Sequence, residues 1–185
     1  MKDDDEPSYS EELNDLESWD HNFWLSRAFM EAALTLSDAM LEGDLSSQYS
    51  SSRVVLHVAR QGLELFLKAA LEVQGLQTLP HGHNLDRLFT AYRQAYPGDE
   101  FHFQTPWQFV LSLNRDLFPE EAKSFHGTLD QRHRYATDKS GASFATRETF
   151  DPVQTREEIA ELRKDLQVIE YLHIRSKKVG KAGKT

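Results

Sequence analysis

Five polar side chains that could carry chemistry lie along one face of a stretch from Arg53 to Val73 that is apolar over most of its length. They are Arg53, His57, Arg60, Glu64 and Lys68, at steps of four, three, four and four residues. This spacing places side chains on one face of an α-helix. The polar stripe predicts either a solvent-exposed strip or the lining of a site. Glu64 and Lys68 within it form either a surface ion pair or part of that lining.

A second group of polar residues lies in four consecutive positions, Arg132, His133, Arg134 and Tyr135. The planar guanidinium group matches phosphate oxygens, and a tyrosine or histidine ring can stack on a nucleic-acid base. This group therefore predicts a nucleotide-binding or RNA-binding wall, with Lys68 and His83 near it. The alternative is that an arginine here attaches a long loop to the bundle.

The eight histidines raise the question of a metal site, and the sequence contains no cysteine. His81 and His83 flank Gly82, and His57 lies on the preceding helix, but no third ligand follows at a recognised spacing. No standard catalytic motif is present either. We expect no metal, no cofactor and no catalytic residue of a standard type.

Helical periodicity dominates the rest of the chain and predicts the elements that position these residues. The first predicted helix ends at Gly43, with an interruption near Asp20 to Asn22 as an alternative, and the central helix ends at Gly75. A short helix follows from Asn84, and a fourth runs from Thr105-Pro106 through Leu117. The last helix starts at Asp151-Pro152 or Thr155, and its apolar stripe comprises Ile159, Leu162, Leu166, Ile169 and His173. The predicted fold is all-α, an up-and-down bundle of four main helices plus one short helix.

Two interruptions of this pattern need a reason. Gly62 lies inside the central helix, where it costs about 1 kcal/mol relative to alanine, so we expect another helix to approach closely there. The segment from Gly127 to Pro152 has no sustained period and is long for a connection in a bundle. We expect it to be functional, partly helical or disordered.

The net charge of −9 is unevenly distributed along the 185 residues. An acidic segment, residues 1–18, is expected to be partly frayed, and a basic tail, residues 177–185, is expected to be disordered. Residues 19–176 form the predicted bundle domain. An acidic body does not favour general nucleic-acid binding, so such binding needs a local basic patch. No apolar run is long enough to span a membrane, and we expect a cytoplasmic protein without membrane contact.

The stretch from Leu63 to Phe89 resembles the core signature of the HEPN superfamily of small helical bundles. Glu64, Lys68 and Leu71 match its Glu-x-x-x-Lys-x-x-Leu part. Gly82, His83, Asn84 and Leu85 match its Gly-His-Asp-Leu part, with asparagine in place of aspartate. Arg134 and Tyr135 resemble an Arg-Tyr pair that many members carry before the last helix. The resemblance implies a helical bundle, commonly a dimer.

Catalytic members of that superfamily are metal-independent ribonucleases with an arginine and a histidine separated by four to six residues near the last helix. That spacing is missing here, which favours a non-catalytic protein that binds a nucleotide or an RNA phosphate as a homodimer. One alternative is a ribonuclease of toxin-antitoxin or phage-defence type with a rearranged site using His133 or His57. Another is a protein interaction module that partners a nucleotidyltransferase.

Overall fold

The computed structural model describes residues 17–75, 83–106, 109, 129–143 and 150–176. The all-α prediction is confirmed, because the described chain is helical apart from its connections and one isolated antiparallel bridge between Thr137 and Ser143. Its elements are α1 (Ser18–Glu42), α2 (Gln48–Val73), α3 (Leu85–Ala95), a 3₁₀ turn (Asp99–Phe101), α4 (Leu129–Arg134), α5 (Pro152–Val168) and a π-helix (Ile169–Arg175) that continues α5. The predicted fourth helix from Thr105-Pro106 through Leu117 lies outside the described residues beyond Pro106, apart from Phe109, and Thr105 and Pro106 do not lie in a helix. His81, Gly82, the basic tail 177–185 and the acidic segment 1–18 except its last two residues are also outside the described residues.

Local signals in the sequence account for the observed helix ends. Gly43 adopts φ 83°, which an L side chain rarely tolerates. The backbone N–H groups of Gly43 and Asp44 donate to the carbonyls of Met40 and Ala39, respectively, and close the end of α1. Ser47, Asn84 and Asp151 each cap a helix start by accepting a backbone N–H through the side chain. The predicted capping by Asn84 and the start of the last helix at Asp151-Pro152 are therefore confirmed. Helix α1 runs without interruption from Ser18, so the alternative break near Asp20 to Asn22 is wrong.

Helix α2 is the central rod, packed against α1, α3, α4 and α5. An aromatic cluster on it anchors the core: the Phe66 ring centroid lies 5.5 Å from Phe23 on α1, 6.1 Å from Tyr92 on α3 and 6.0 Å from Phe103. Tyr92 and Phe23 are fully buried, and burying each side chain of this size stabilises the fold by roughly 1.5–3 kcal/mol. The core thereby holds one face of α2 rigidly.

Gly62 shows the close approach that the sequence predicts, and the neighbour is α1 of the same chain. A Cβ placed on Gly62 would lie 3.1 Å from both the Met30 side chain and the Ser26 carbonyl oxygen. The Ser26 hydroxyl donates to the Gly62 carbonyl at 2.7 Å. This glycine permits contact between the two longest helices.

Helix α1 lies antiparallel to α5 and to the π-helix that continues it. A ladder of ion pairs, which we call the α1–α5 ladder, joins them: Asp20 with Arg175, Arg27 with Glu170, Glu31 with Arg163 and Asp38 with Arg156. The π-helix shifts the buried register by one residue at its end. Ile169 and Ile174 are buried, whereas His173 is only half-buried and meets the edge of Phe101. The sequence predicts His173 on the apolar stripe because, in an α-helix, the residue four positions after Ile169 returns to the same face. In the π-helix the hydrogen bonds run from i to i+5, so Ile174, five positions after Ile169, is buried instead.

Candidate functional site

The polar stripe of α2 is not a solvent-exposed strip. Arg60 and Glu64 are each only 2% exposed, while Arg53, His57 and Lys68 are half-buried. The interpretation of Glu64 and Lys68 as a surface ion pair is therefore wrong. Helix α4 and the start of α3 pack over this face, and their backbone groups supply part of its surroundings.

Glu64 is the centre of a compact ion network, which we call the Glu64 network and which comprises Arg60, Glu64, Lys68 and His83. The Glu64 Oε1 atom accepts from Lys68 Nζ at 2.7 Å and lies 2.9 Å from His83 Nδ1. Its Oε2 atom lies 3.6 Å from the Arg60 guanidinium. Arg60 also donates to the carbonyl of His83. The network thereby ties α2 to the residue that precedes the cap of α3.

A second group lies at the other end of the stripe, where α4 ends against α2. Arg53 donates to the backbone carbonyl of Tyr135, and its guanidinium lies 5.6 Å from the ring centroid of Tyr49. The Arg134 guanidinium lies 5.5 Å from the ring centroid of Tyr135. Both tyrosine side chains face solvent, at 53% for Tyr49 and 54% for Tyr135. We call these four residues the tyrosine–arginine patch.

The structure thus separates the predicted site residues into two groups. Arg53 and Lys68 are fifteen positions apart on α2, which corresponds to about 22 Å along a helix axis. Lys68 and His83 belong to the Glu64 network, whereas Arg134 and Tyr135 belong to the tyrosine–arginine patch. Arg132 is half-buried on α4, and the side chain of His133 lies outside the part of the chain that the structure describes.

Sequence reasoning missed a third polar cluster, at the junction of α1 and the π-helix. Glu170, 1% exposed, accepts from Arg27 and from Arg175, each at 2.8 Å. Arg27 also donates to the Tyr171 hydroxyl at 2.7 Å. Burial raises the pKa of Glu170 above its usual range, although both guanidinium groups oppose this shift. The separation of 143 residues between Arg27 and Glu170 leaves no local signal for this pairing.

Glu170 and its two arginines form a closed structural unit. The Arg175 guanidinium also bonds Asp20 and lies over the rings of Trp19 and Tyr171. Burial lowers the pKa of Arg175, but the Glu170 and Asp20 carboxylates outweigh this and hold it above its ordinary value. Because each carboxylate already faces an arginine, this cluster stabilises the α1–α5 contact.

Metal binding has no candidate geometry in the described ranges, where no three His, Cys, Asp or Glu side chains are grouped to hold an ion. Two surface clefts among the described residues have no residue of the α2 stripe in their lining. One is lined by Phe89, Arg93 and Phe103 beside α3, and the other by acidic residues of α5 such as Glu161 and Asp165. Burial, with help from Glu161, raises the pKa of Asp165. Among the described helices, none combines the length and apolar character needed to cross a bilayer.

No protein-family model, curated protein or solved structure matches the chain. The class of protein is therefore defined by its own architecture, which is an all-α bundle. Two features lie along the polar face of its central helix, the buried Glu64 network and the exposed tyrosine–arginine patch.

Proposed function

We propose that the protein is a non-catalytic HEPN-like bundle that binds a nucleotide or an RNA phosphate as a homodimer, through the Arg132 to Tyr135 segment. The observation that carries this proposal is the attachment of that segment to the α2 stripe. Arg53 holds the backbone carbonyl of Tyr135, so the Tyr135 ring remains exposed beside the Arg134 guanidinium. An exposed ring next to a guanidinium can stack on a base and bind its phosphate.

The local charge supports this ligand class despite the acidic chain. Residues 46–59 and 131–137 contain three arginines and no aspartate or glutamate. These two segments meet where α4 packs on α2. The first turn of α2 also contains no acidic residue, so the positive end of the helix dipole adds to the attraction for an anion. A basic patch of this kind attracts phosphate within a net-negative protein.

The Glu64 network supports the HEPN-like part of the proposal. Its residues come from both halves of the resemblance, Glu64 and Lys68 from the first and His83 from the second. They meet within 3 Å of one carboxylate oxygen. Asn84, which replaces the aspartate of the signature, caps α3 through its side-chain oxygen, a task that either residue performs. The two halves thus have a shared structural role.

A titration of the full chain with fluorescent adenine and guanine nucleotides and a labelled RNA tests the proposal. Binding is expected to weaken with added salt, because a phosphate contact releases counterions, and to fall at least fivefold in Arg134→Ala. Arg93→Ala, an exposed arginine on α3, is the matched control and should bind normally. No binding at millimolar ligand, or equal binding by Arg134→Ala, would overturn the proposal.

Two further measurements separate the alternatives. Incubation of single-stranded RNA with the protein in EDTA should leave the RNA intact. Cleavage that disappears in His133→Ala would instead identify a ribonuclease. The mass of the protein in solution should be that of two chains, and a monomeric mass at micromolar concentration would contradict the homodimer.

A further inference from the structure

Tyr49 and Tyr135 are the only aromatic side chains among the large apolar residues that the described part of the chain exposes to solvent. They come from different elements, the first turn of α2 and the residue after α4. Aromatic rings are usually buried because they carry a large apolar area. Two exposed rings brought to one place therefore indicate a shared surface.

Arg53 joins these two tyrosines. It lies over the Tyr49 ring, contacts the Tyr49 hydroxyl at 3.5 Å through one terminal nitrogen, and donates to the Tyr135 carbonyl through the other. A guanidinium group has five N–H donors, and these contacts occupy two of its nitrogens without using every donor. Within the described residues, no carboxylate forms an ion pair with Arg53, in contrast to the arginines of the α1–α5 ladder.

We infer that the tyrosine–arginine patch takes a single-stranded oligonucleotide of at least two nucleotides, with one base stacked on Tyr49, another on Tyr135 and the linking phosphate at Arg53. This inference rests on the proposed function and specifies its ligand. Unpaired bases can be splayed apart and stacked on separate rings, whereas a duplex keeps its bases inside. A mononucleotide has one base and can use only one of the two rings.

The test measures binding of the full chain to AMP, a dinucleotide and a six-nucleotide strand, in RNA and DNA forms, by competition against a labelled hexamer. A stacked base contributes about 5- to 150-fold in affinity, so the dinucleotide should bind at least fivefold more tightly than AMP. Tyr49→Ala should remove this advantage, and Tyr49→Phe should retain it because the ring remains. Preference for RNA would indicate 2′-hydroxyl contacts, and equal RNA and DNA binding would indicate bases and phosphate alone. A duplex of the same hexamer sequence should bind more weakly than the single strand, and equal binding of the duplex would overturn a single-stranded ligand.

The outcomes distinguish this inference from the proposed function. If AMP binds as tightly as the dinucleotide, with Arg134→Ala defective and Tyr49→Ala normal, the two-base site is overturned while nucleotide binding stands. If no nucleotide of any length binds, both fail. Leu172→Ala is the control for a surface change, since Leu172 is exposed on the π-helix away from the patch. Thermal melting verifies that each variant is folded.

Discussion

Replacement of Glu64 by glutamine distinguishes a structural role of the Glu64 network from a direct role in binding. The carboxylate is 2% exposed and faces Arg60, whose side chain is 3% exposed. The change removes the negative charge but leaves the buried guanidinium in place. Removing one member of a buried ion pair costs about 3–5 kcal/mol, which is a large share of the roughly 5–15 kcal/mol that stabilises a typical domain.

For a protein of this size, about 2–4 °C of melting temperature corresponds to each kcal/mol. Glu64→Gln should therefore lower the melting temperature by roughly 6–20 °C. Urea titration followed by circular dichroism gives the matching free energy. Lys68→Met is the control within the same network. Its side chain is 25% exposed, so solvent partly screens its charge and its loss should cost less than the loss of the Glu64 carboxylate.

The expected signature is a large stability loss for Glu64→Gln, a smaller one for Lys68→Met, and unchanged oligonucleotide affinity for both while folded, because Glu64 lies eleven residues from Arg53, about 16 Å along α2. If Glu64→Gln melts within 1 °C of the unchanged protein and loses nucleotide affinity instead, the network is a binding wall. The structural interpretation would then be refuted.

Three further changes test other contacts. Gly62→Ala gains about 1 kcal/mol of helix propensity, but it places a Cβ 3.1 Å from the Ser26 carbonyl, and such overpacking costs about 1–3 kcal/mol. Urea titration should therefore show net destabilisation. A more stable variant would show that α1 can move away from α2. Asn84→Ala should cost about 1 kcal/mol in the same titration through loss of the α3 cap, whereas Asn84→Asp should not. Burial raises the pKa of Glu170 above 4.5 in the folded state, so the native protein binds this proton more tightly than the unfolded chain and its stability falls as pH rises from 4.5 through the raised pKa. Glu170→Gln should lack this component in unfolding free energies measured from pH 4 to 7, and identical slopes would contradict the assignment.

Helix ends and the central rod were predictable because their signals are local. A glycine at the end of an apolar period, an asparagine before Leu85 and an Asp-Pro pair each act within one helical turn. Gly62 was informative for a similar reason, since a glycine inside a strong helix requires a close neighbour. These residues determine structure without knowledge of the partner element.

The ion pairs between α1 and α5 were not predictable in the same way. The sequence pattern predicts only that Asp20, Glu31 and Asp38 belong to the polar face of an amphipathic helix. The arginines that pair with them lie more than 115 residues later in the chain. Charge alone does not identify a partner at that separation. The sequence contains no local pattern that predicts the π-helix. Its i+5 hydrogen bonding is recognised only in the structure, where Ile174 is buried in the core in place of His173.

The candidate site shows how one periodic stripe can serve two purposes. Periodicity places Arg53 and Glu64 on one face, but it does not specify what covers each turn of that face. Different segments pack over the two ends of the stripe. His83, just before α3, contacts Glu64 through its side chain, whereas Tyr135, just after α4, accepts a hydrogen bond from Arg53 through its backbone carbonyl. Attachment through the carbonyl leaves the Tyr135 ring in solvent. The same stripe therefore provides a buried structural network at one end and, at the other, an exposed tyrosine–arginine patch for which we propose a nucleotide ligand.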